Sequence, residues 1–168
     1  MYMLTHSKYQ IAAASVSDGI NGGYFQYVAF ANSDLNATKS LENINGAAPF
    51  ADGLEAWEQR SPSFRFNQVH TPLRIVAGNS ISLFSGWELF AALHRLRRPV
   101  EFIYIKDGSH ILEKPFDRMV SQQGNVDWFD FWLNGKEDTD PAKAEQYARW
   151  RALRSVAQAA EGSGGTSR

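Results

Sequence analysis

An α/β fold, about three parallel strands with flanking helices, is what this chain predicts, and three observations predict it. Residues 73–77 and 100–105 are short, nearly continuous apolar runs, the pattern of parallel strands covered on both faces, and a helical stretch at 87–96 lies between them. Strand, helix and strand so spaced form a right-handed crossover unit. An earlier apolar run at 11–16, closed by Ser17-Asp18-Gly19, supplies a third strand. Finally, the C-terminal third reads as two helices, the first of them aromatic-rich through Trp128-Phe-Asp-Phe-Trp132. With 168 residues, 43% of them hydrophobic and 13% aromatic, there is apolar material for one ordinary core. One domain over 1–160 and a flexible tail over 161–168 are expected.

Taken in order, residues 1–7 read as the last turns of a helix, with Met1, Leu4 and Thr5 on one side and no capping residue ahead of them. The strand at 11–16 rests on position and apolar character, since its alanines are poor strand formers. Residues 24–30 are aromatic and apolar, 32–45 are polar, and 51–59 suit a short helix ending near Arg60-Ser61-Pro62. That whole stretch reads as helical and irregular cover. Pro72 stands at the mouth of the strand 73–77, where its missing N–H does least harm. Residues 78–85 read as a loop. The helix at 87–96 places Trp87, Phe90, Ala91 and His94 at i, i+3, i+4 and i+7 on one face, and Pro99 resets the chain into the strand at 100–105.

Two helices then close the chain. The one at 116–133 has a weak point at Gly124, which costs about 1 kcal/mol relative to alanine in a helix interior. The last is capped by Asp140 with Pro141 at its first position, carries Tyr147, Trp150 and Leu153 on a stripe that needs a partner surface, and pairs Glu145 with Arg149 outside. The Gly/Ser-rich end reads as flexible, and no internal repeat or interdomain linker precedes it.

Composition narrows the function classes. Seventeen basic and eighteen acidic residues leave a net charge of −1, which offers no broad field for nucleic acid or an anionic membrane. Small or peptidic partners fit better. Without cysteine there is no disulfide framework, thiolate metal site or cysteine nucleophile. The apolar runs fall far short of a membrane span. His6, His70 and His94 lack metal-ligand spacing, so no metal or cofactor is expected.

His110 is the leading candidate for chemistry. Its turn, Asp107-Gly108-Ser109, follows a strand directly, and open α/β sheets place ligands at the carboxyl ends of their strands. An imidazole there acts near neutral pH, but a histidine base needs a nucleophile, and no Gly-x-Ser-x-Gly elbow occurs in the chain. Ser61 and Ser109 lie in no such elbow. Asp18 could be a site carboxylate, though Asp-Gly after a strand favours plain turn chemistry. Trp128, Phe129, Phe131 and Trp132, at helical spacing without interleaved cations, read as core. Arg95, Arg97 and Arg98 complement a helix dipole.

A set of short motifs adds a family resemblance. Trp57-Glu-Gln-Arg-Ser-Pro62, Val69-His-Thr-Pro-Leu73, Gly86-Trp-Glu-Leu-Phe-Ala-Ala-Leu93 with Arg98-Pro-Val100, Gly108-Ser-His110 and Trp128-Phe-Asp-Phe-Trp-Leu133 resemble, in that order, the C-terminal half of the catalytic domain of prolyl oligopeptidase family serine peptidases. The resemblance implies the C-terminal part of an α/β-hydrolase fold, with the earlier strands, nucleophile elbow and oxyanion donors outside this chain and the serine just before Met1. It implies that His110 is the catalytic histidine of an enzyme that cleaves peptide bonds through an acyl-enzyme, and that the isolated chain is inactive. The family's acid belongs in the loop after 73–77, yet here Gly78-Asn-Ser-Ile-Ser-Leu-Phe-Ser85 holds no carboxylate. Asp107 and Glu88 are candidate replacements by sequence proximity. Expected partners are a peptide or small ester substrate and the missing N-terminal part of the same protein, with no nucleic acid and no membrane. A non-catalytic α/β-hydrolase-like binding protein and an esterase of the same fold are the alternatives. A strand at 11–16 left as an open edge predicts poor solubility.

Overall fold

The computed structural model describes residues 1–19 and 22–164, with side chains as far as 159. A short helix α1 (Tyr2–His6) leads into strand β1 (Ala14–Ser17), which begins later than the apolar run suggests. The ladder explains the shift: the Ala14 N–H reaches the Pro72 carbonyl at 2.9 Å and the Asp18 N–H reaches Val76 at 3.0 Å, so pairing covers 14–18. Helices α2 (Tyr24–Ala31), α3 (Leu35–Asn45) and α4 (Leu54–Arg60) follow, with 3-10 turns at Ala51–Gly53 and Pro62–Gln68. Asp34 caps α3 by accepting from the N–H groups of Asn36 and Ala37, and Gly46, at φ 96°, ends it in the left-handed region.

Strand β2 (Leu73–Ala77) coincides with the predicted run, and β3 (Val100–Tyr104) follows helix α5 (Ser80–Arg95). Among the described residues these strands form one parallel sheet in the order β1-β2-β3, with Val16 opposite Ile75 and Ile75 opposite Phe102. Every residue of β2 is buried, as a central parallel strand requires. Its two faces meet different layers. Leu73 and Ile75 join Leu89, Leu93, Phe66, Val69 and Val100 in a core under α5. On the opposite face Arg74 points into the C-terminal helices.

Helix α5 departs from expectation twice. Residues 80–85 are helical rather than loop, because Asn79 and Ser82 form a reciprocal capping box that starts the helix early. Its buried face is Ser82, Ser85, Gly86, Leu89 and Leu93, while Trp87 is 53% exposed and packs with Phe90 on the outer flank of Phe102. Gly86 shows why: a Cβ there would lie 2.6 Å from Phe102 Cε2 and 3.1 Å from Ile75. Around Ser82, Ser85 and Gly86 the helix backbone lies so close to the sheet that only small residues fit beneath it, while Leu89 and Leu93 are buried further along.

Residues 115–134 form a run of helix interrupted by two π turns: α6 (Pro115–Arg118), a π turn at Met119–Gln123, α7 (Gly124–Phe129) and a second π turn at Asp130–Asn134. The first π turn accommodates a side chain in the ladder, since Arg74 donates to the carbonyls of Val120 (2.8 Å) and Ser121 (3.2 Å) and to Asn125 Oδ1 (2.8 Å). Arg74 Nε lies 3.3 Å from Glu101 Oε2, its cross-strand neighbour. Gly124, the expected weak point, is what admits this arginine: a Cβ there would sit 2.4 Å from Arg74 Nη2.

Asp140 accepts from the Ala142 N–H and leads through a 3-10 turn at Pro141–Lys143 into α8 (Ala144–Gly164), as its sequence predicts. Tyr147 and Trp150 pack on Trp128 and Phe131 with Phe129, Trp132 and Leu153 around them, so the aromatic group is core. Arg149 reaches Glu101 at 3.5 Å rather than pairing with Glu145. Asp127 ties this layer together. Burial works to raise its pKa, but hydrogen bonds from Gln123, Lys143 and Gln146 outweigh that and hold the carboxylate below its usual range. The expected tail from 161 is helical as far as Gly164, and 165–168 lie outside the described residues.

Candidate active site

Three strand ends meet at one rim of the sheet. Beyond β3 the Ile105 N–H still pairs with the Ala77 carbonyl at 2.9 Å, and the chain then turns through Asp107 at φ 56° with Gly108 N–H on the Ile105 carbonyl. The loops after β2 and β3 touch at two glycines, since a Cβ on Gly78 would lie 2.8 Å from the Ser109 carbonyl oxygen and one on Gly108 2.9 Å from that of Gly78. Ser109 Oγ donates to the Ile111 carbonyl and Lys114 Nζ to that of Asp107. Those contacts hold His110 over the end of β1.

There its Nδ1 lies 2.7 Å from Asp18 Oδ2. Asp18 follows β1 at φ 48°, a left-handed turn that aspartate tolerates, with its side chain 14% exposed against 78% for His110. The sequence favoured plain turn chemistry for Asp18; the structure gives it that turn and the imidazole as well. Both carboxylate oxygens also accept from Asn79 Nδ2 at 2.8 Å. Asn79 is fixed from its other end, because its Oδ1 accepts from the Ser82 N–H at 3.0 Å while Ser82 Oγ accepts from the Gly78 and Asn79 N–H groups. The N-terminus of α5 adds partial positive charge beside the carboxylate.

A carboxylate only accepts, so Nδ1 carries the proton of a neutral His110, and Nε2 presents a lone pair outward. Even with the imidazole charged, a pair with one partner this exposed contributes about 0–1 kcal/mol of stability; with it neutral, the contact sets orientation and tautomer. Two cavities flank the pair. One of about 320 Å³ is lined by Gln26, Phe30, Ile81 and Ser82, and one of about 230 Å³ by Ser17, Ser109, Leu112, Arg118 and Gln122. A groove of about 410 Å³ between α1 and His70 shares no lining residue with either.

The other sequence candidates lie apart. Glu88 sits under α2, bonded to the Ser63 hydroxyl and the N–H groups of Phe25 and Tyr24; burial pushes its carboxyl up. Asp107 turns the loop. Ser61 is fully buried, donates to the Gly22 carbonyl and caps the 3-10 turn after it. His6 stacks on Tyr2, His70 lies 3.3 Å from Arg98, and His94 tilts over Phe90. Among the described residues no group of three or more histidine, aspartate or glutamate side chains is placed to hold a metal ion. Gly78-Asn-Ser-Ile-Ser82 comes one residue short of an elbow pattern after a strand, but Ser80 has no positive φ and instead opens α5. Asn79 escaped sequence reasoning altogether. A partial signal was available, since Asp18 and Asn79 stand shortly past β1 and β2, but nothing local joins either to His110 in the loop after β3.

Three parallel strands with flanking helices and a histidine loop after the last strand define an α/β-hydrolase-like fold. Over 108 residues, 64% of this chain, it is 36% identical to the lasso peptide isopeptidase AtxE2 of Asticcacaulis excentricus, of which that stretch is 15%. Two solved structures of the AtxE2 isopeptidase match 92% of this chain: the apo form at 29% identity and TM-score 0.70, and a serine-to-alanine variant with Astexin3-dC4 bound at 27% and 0.68. The chain spans 23% of the length of each. No family model matches it.

Proposed function

We propose that this chain is the histidine-bearing C-terminal part of a serine-type peptidase of the prolyl oligopeptidase family. The observation that carries the reading is an imidazole beyond the last strand that lines two flanking cavities and whose Nδ1 is held by a carboxylate, which leaves Nε2 as the nitrogen for chemistry. A serine from a segment outside these 168 residues attacks the scissile carbonyl while His110 Nε2 takes its proton. The imidazolium returns that proton to the departing amine, leaving an acyl-enzyme, and a water activated by the same nitrogen releases the acid and restores the serine. Similarity to a lasso peptide isopeptidase supports an amide substrate, including isopeptide bonds between a side-chain carboxyl and an amine. Partners are then a peptide and the remainder of the same protein, and the chain by itself is inactive.

The carboxylate-free loop after β2 favours a second reading, a binding protein that keeps the fold without turnover. Reading the frame upstream of Met1 separates the two. A Gly-x-Ser-x-Gly elbow within about twenty codons, whose serine takes a fluorophosphonate label that His110→Ala abolishes, is the result expected of the peptidase. An upstream frame without a serine elbow, or labelling undiminished by His110→Ala, refutes it.

A further inference from the structure

We infer that Asp18, delivered from the end of β1, is the acid that positions His110, and that Asn79, in the loop where the resemblance places the acid, is the residue that aims it. The role in turnover rests on the peptidase reading; the effect on the imidazole does not. Each of the three strands is followed by one of these residues, Asp18 directly after β1, Asn79 in the loop after β2 and His110 in the longer loop after β3, and the parallel register brings them together across 92 positions of sequence between Asp18 and His110. Asp18 Oδ2 faces His110 Nδ1 at 2.7 Å, the length of a charge-assisted bond. The other carboxylates offered by sequence proximity are elsewhere: Glu88 is engaged with Ser63 and the start of α2, and Asp107 turns the loop.

Asn79 makes the arrangement one-directional. Its Oδ1 is occupied by the Ser82 N–H, so its Nδ2 must face Asp18 and donate. With an aspartate at 18 both oxygens accept, and His110 is obliged to donate from Nδ1. In Asp18→Asn the new amide must turn its oxygen to Asn79 and its NH₂ to the imidazole. His110 then accepts at Nδ1 and carries its proton on Nε2, the nitrogen a serine would need free. Loss of the correct tautomer in a triad costs about 10⁴ in turnover. Asparagine tolerates the left-handed turn as aspartate does, so the substitution leaves the backbone unstrained.

The test is the tautomer of His110 in the ¹⁵N-histidine-labelled chain, read from long-range ¹H–¹⁵N correlations at about pH 8.5, above the ordinary histidine range. The native chain should show mainly the Nδ1–H form. Asp18→Asn should invert it to Nε2–H, and Asn79→Ser, which keeps a helix cap but loses the amide donor, should cancel that inversion in the double variant. Asp18→Gly, also at ease in the turn, should release His110 to a mixture of tautomers and serves if the asparagine variant does not fold. A tautomer unchanged in both Asp18 variants overturns the assignment. In the serine-bearing form Asp18→Asn should lower kcat about 10⁴-fold with KM little changed, and an undiminished kcat overturns the positioning role. Labelling of that serine which survives His110→Ala overturns the peptidase reading instead.

Discussion

Gly124→Ala should destabilise this protein, although alanine is the better helix former by about 1 kcal/mol. The added Cβ would lie 2.4 Å from Arg74 Nη2 and 2.8 Å from Cζ. The far end of an arginine usually swings aside cheaply. Here it is 2% exposed, bound to Val120, Ser121 and Asn125 and paired with a Glu101 that is itself 8% exposed. Displacing it breaks a buried ion pair, which costs about 3–5 kcal/mol. Set against the helix gain of about 1 kcal/mol, the net loss is about 2–4 kcal/mol, or about 4–16 °C in Tm for a chain of this size. The assay is a double-mutant cycle with Arg74→Met, followed by circular dichroism in urea. In the Arg74→Met background the clash is gone, and Gly124→Ala should stabilise by about 1 kcal/mol. A Gly124→Ala that stabilises the parent chain, or that has the same effect in both backgrounds, refutes the packing account.

Acid should unpick the C-terminal layer. The Asp127 carboxyl is held below its usual range, so its contribution is complete above the unfolded pKa of about 3.9 and is lost as pH falls through the folded value; Asp127→Asn should flatten the fall in Tm below about pH 4, and an unaltered acid limb would count against the network. Glu88 carries the opposite sign: its folded pKa is raised, so native stability falls as pH climbs from the unfolded pKa of about 4.3 through the folded one, and Glu88→Gln should raise Tm at neutral pH with no gain below about pH 4. Trp57 is fully buried against Tyr27 and Leu41 and donates to the Ala47 carbonyl, so Trp57→Ala should cost about 3–5 kcal/mol by denaturant titration. Among the described residues β1 pairs only with β2, so the purified chain should self-associate in sedimentation velocity, a monodisperse monomer being the contrary result.

What the sequence made legible was apolar pattern and punctuation. Strand β2 announced itself because a central strand is nearly all apolar, here interrupted only by Arg74, and Asp140-Pro141 announced the last helix because a cap is local chemistry. Helix α5 was half missed. Gly78, Asn79 and a run of serines look like a loop until the Asn79 and Ser82 side chains are seen to satisfy each other's backbone. Its aromatic stripe lay off the main buried face, because the helix lies closest to the sheet at Ser82, Ser85 and Gly86 and buries Leu89 and Leu93 after them, leaving Trp87 exposed and Phe90 only partly buried. His110 was legible from its place past a strand. Asp18 was read as turn chemistry and Asn79 was passed over, since what joins them to the imidazole is the register of three strands, which no local pattern encodes.

A parallel sheet brings every strand to a close on the same side, and that gives the pairing of β1, β2 and β3 a bearing on how such a protein changes over time. An imidazole above this rim is within reach of residues from neighbouring strand ends. A carboxylate lost from one of them can be replaced from another by a single codon change, while the histidine and its loop stay where they are. Lineages with this architecture therefore have more than one route by which to keep an acid beside the base, and a blank at the customary place in an alignment is weak ground for declaring a member dead.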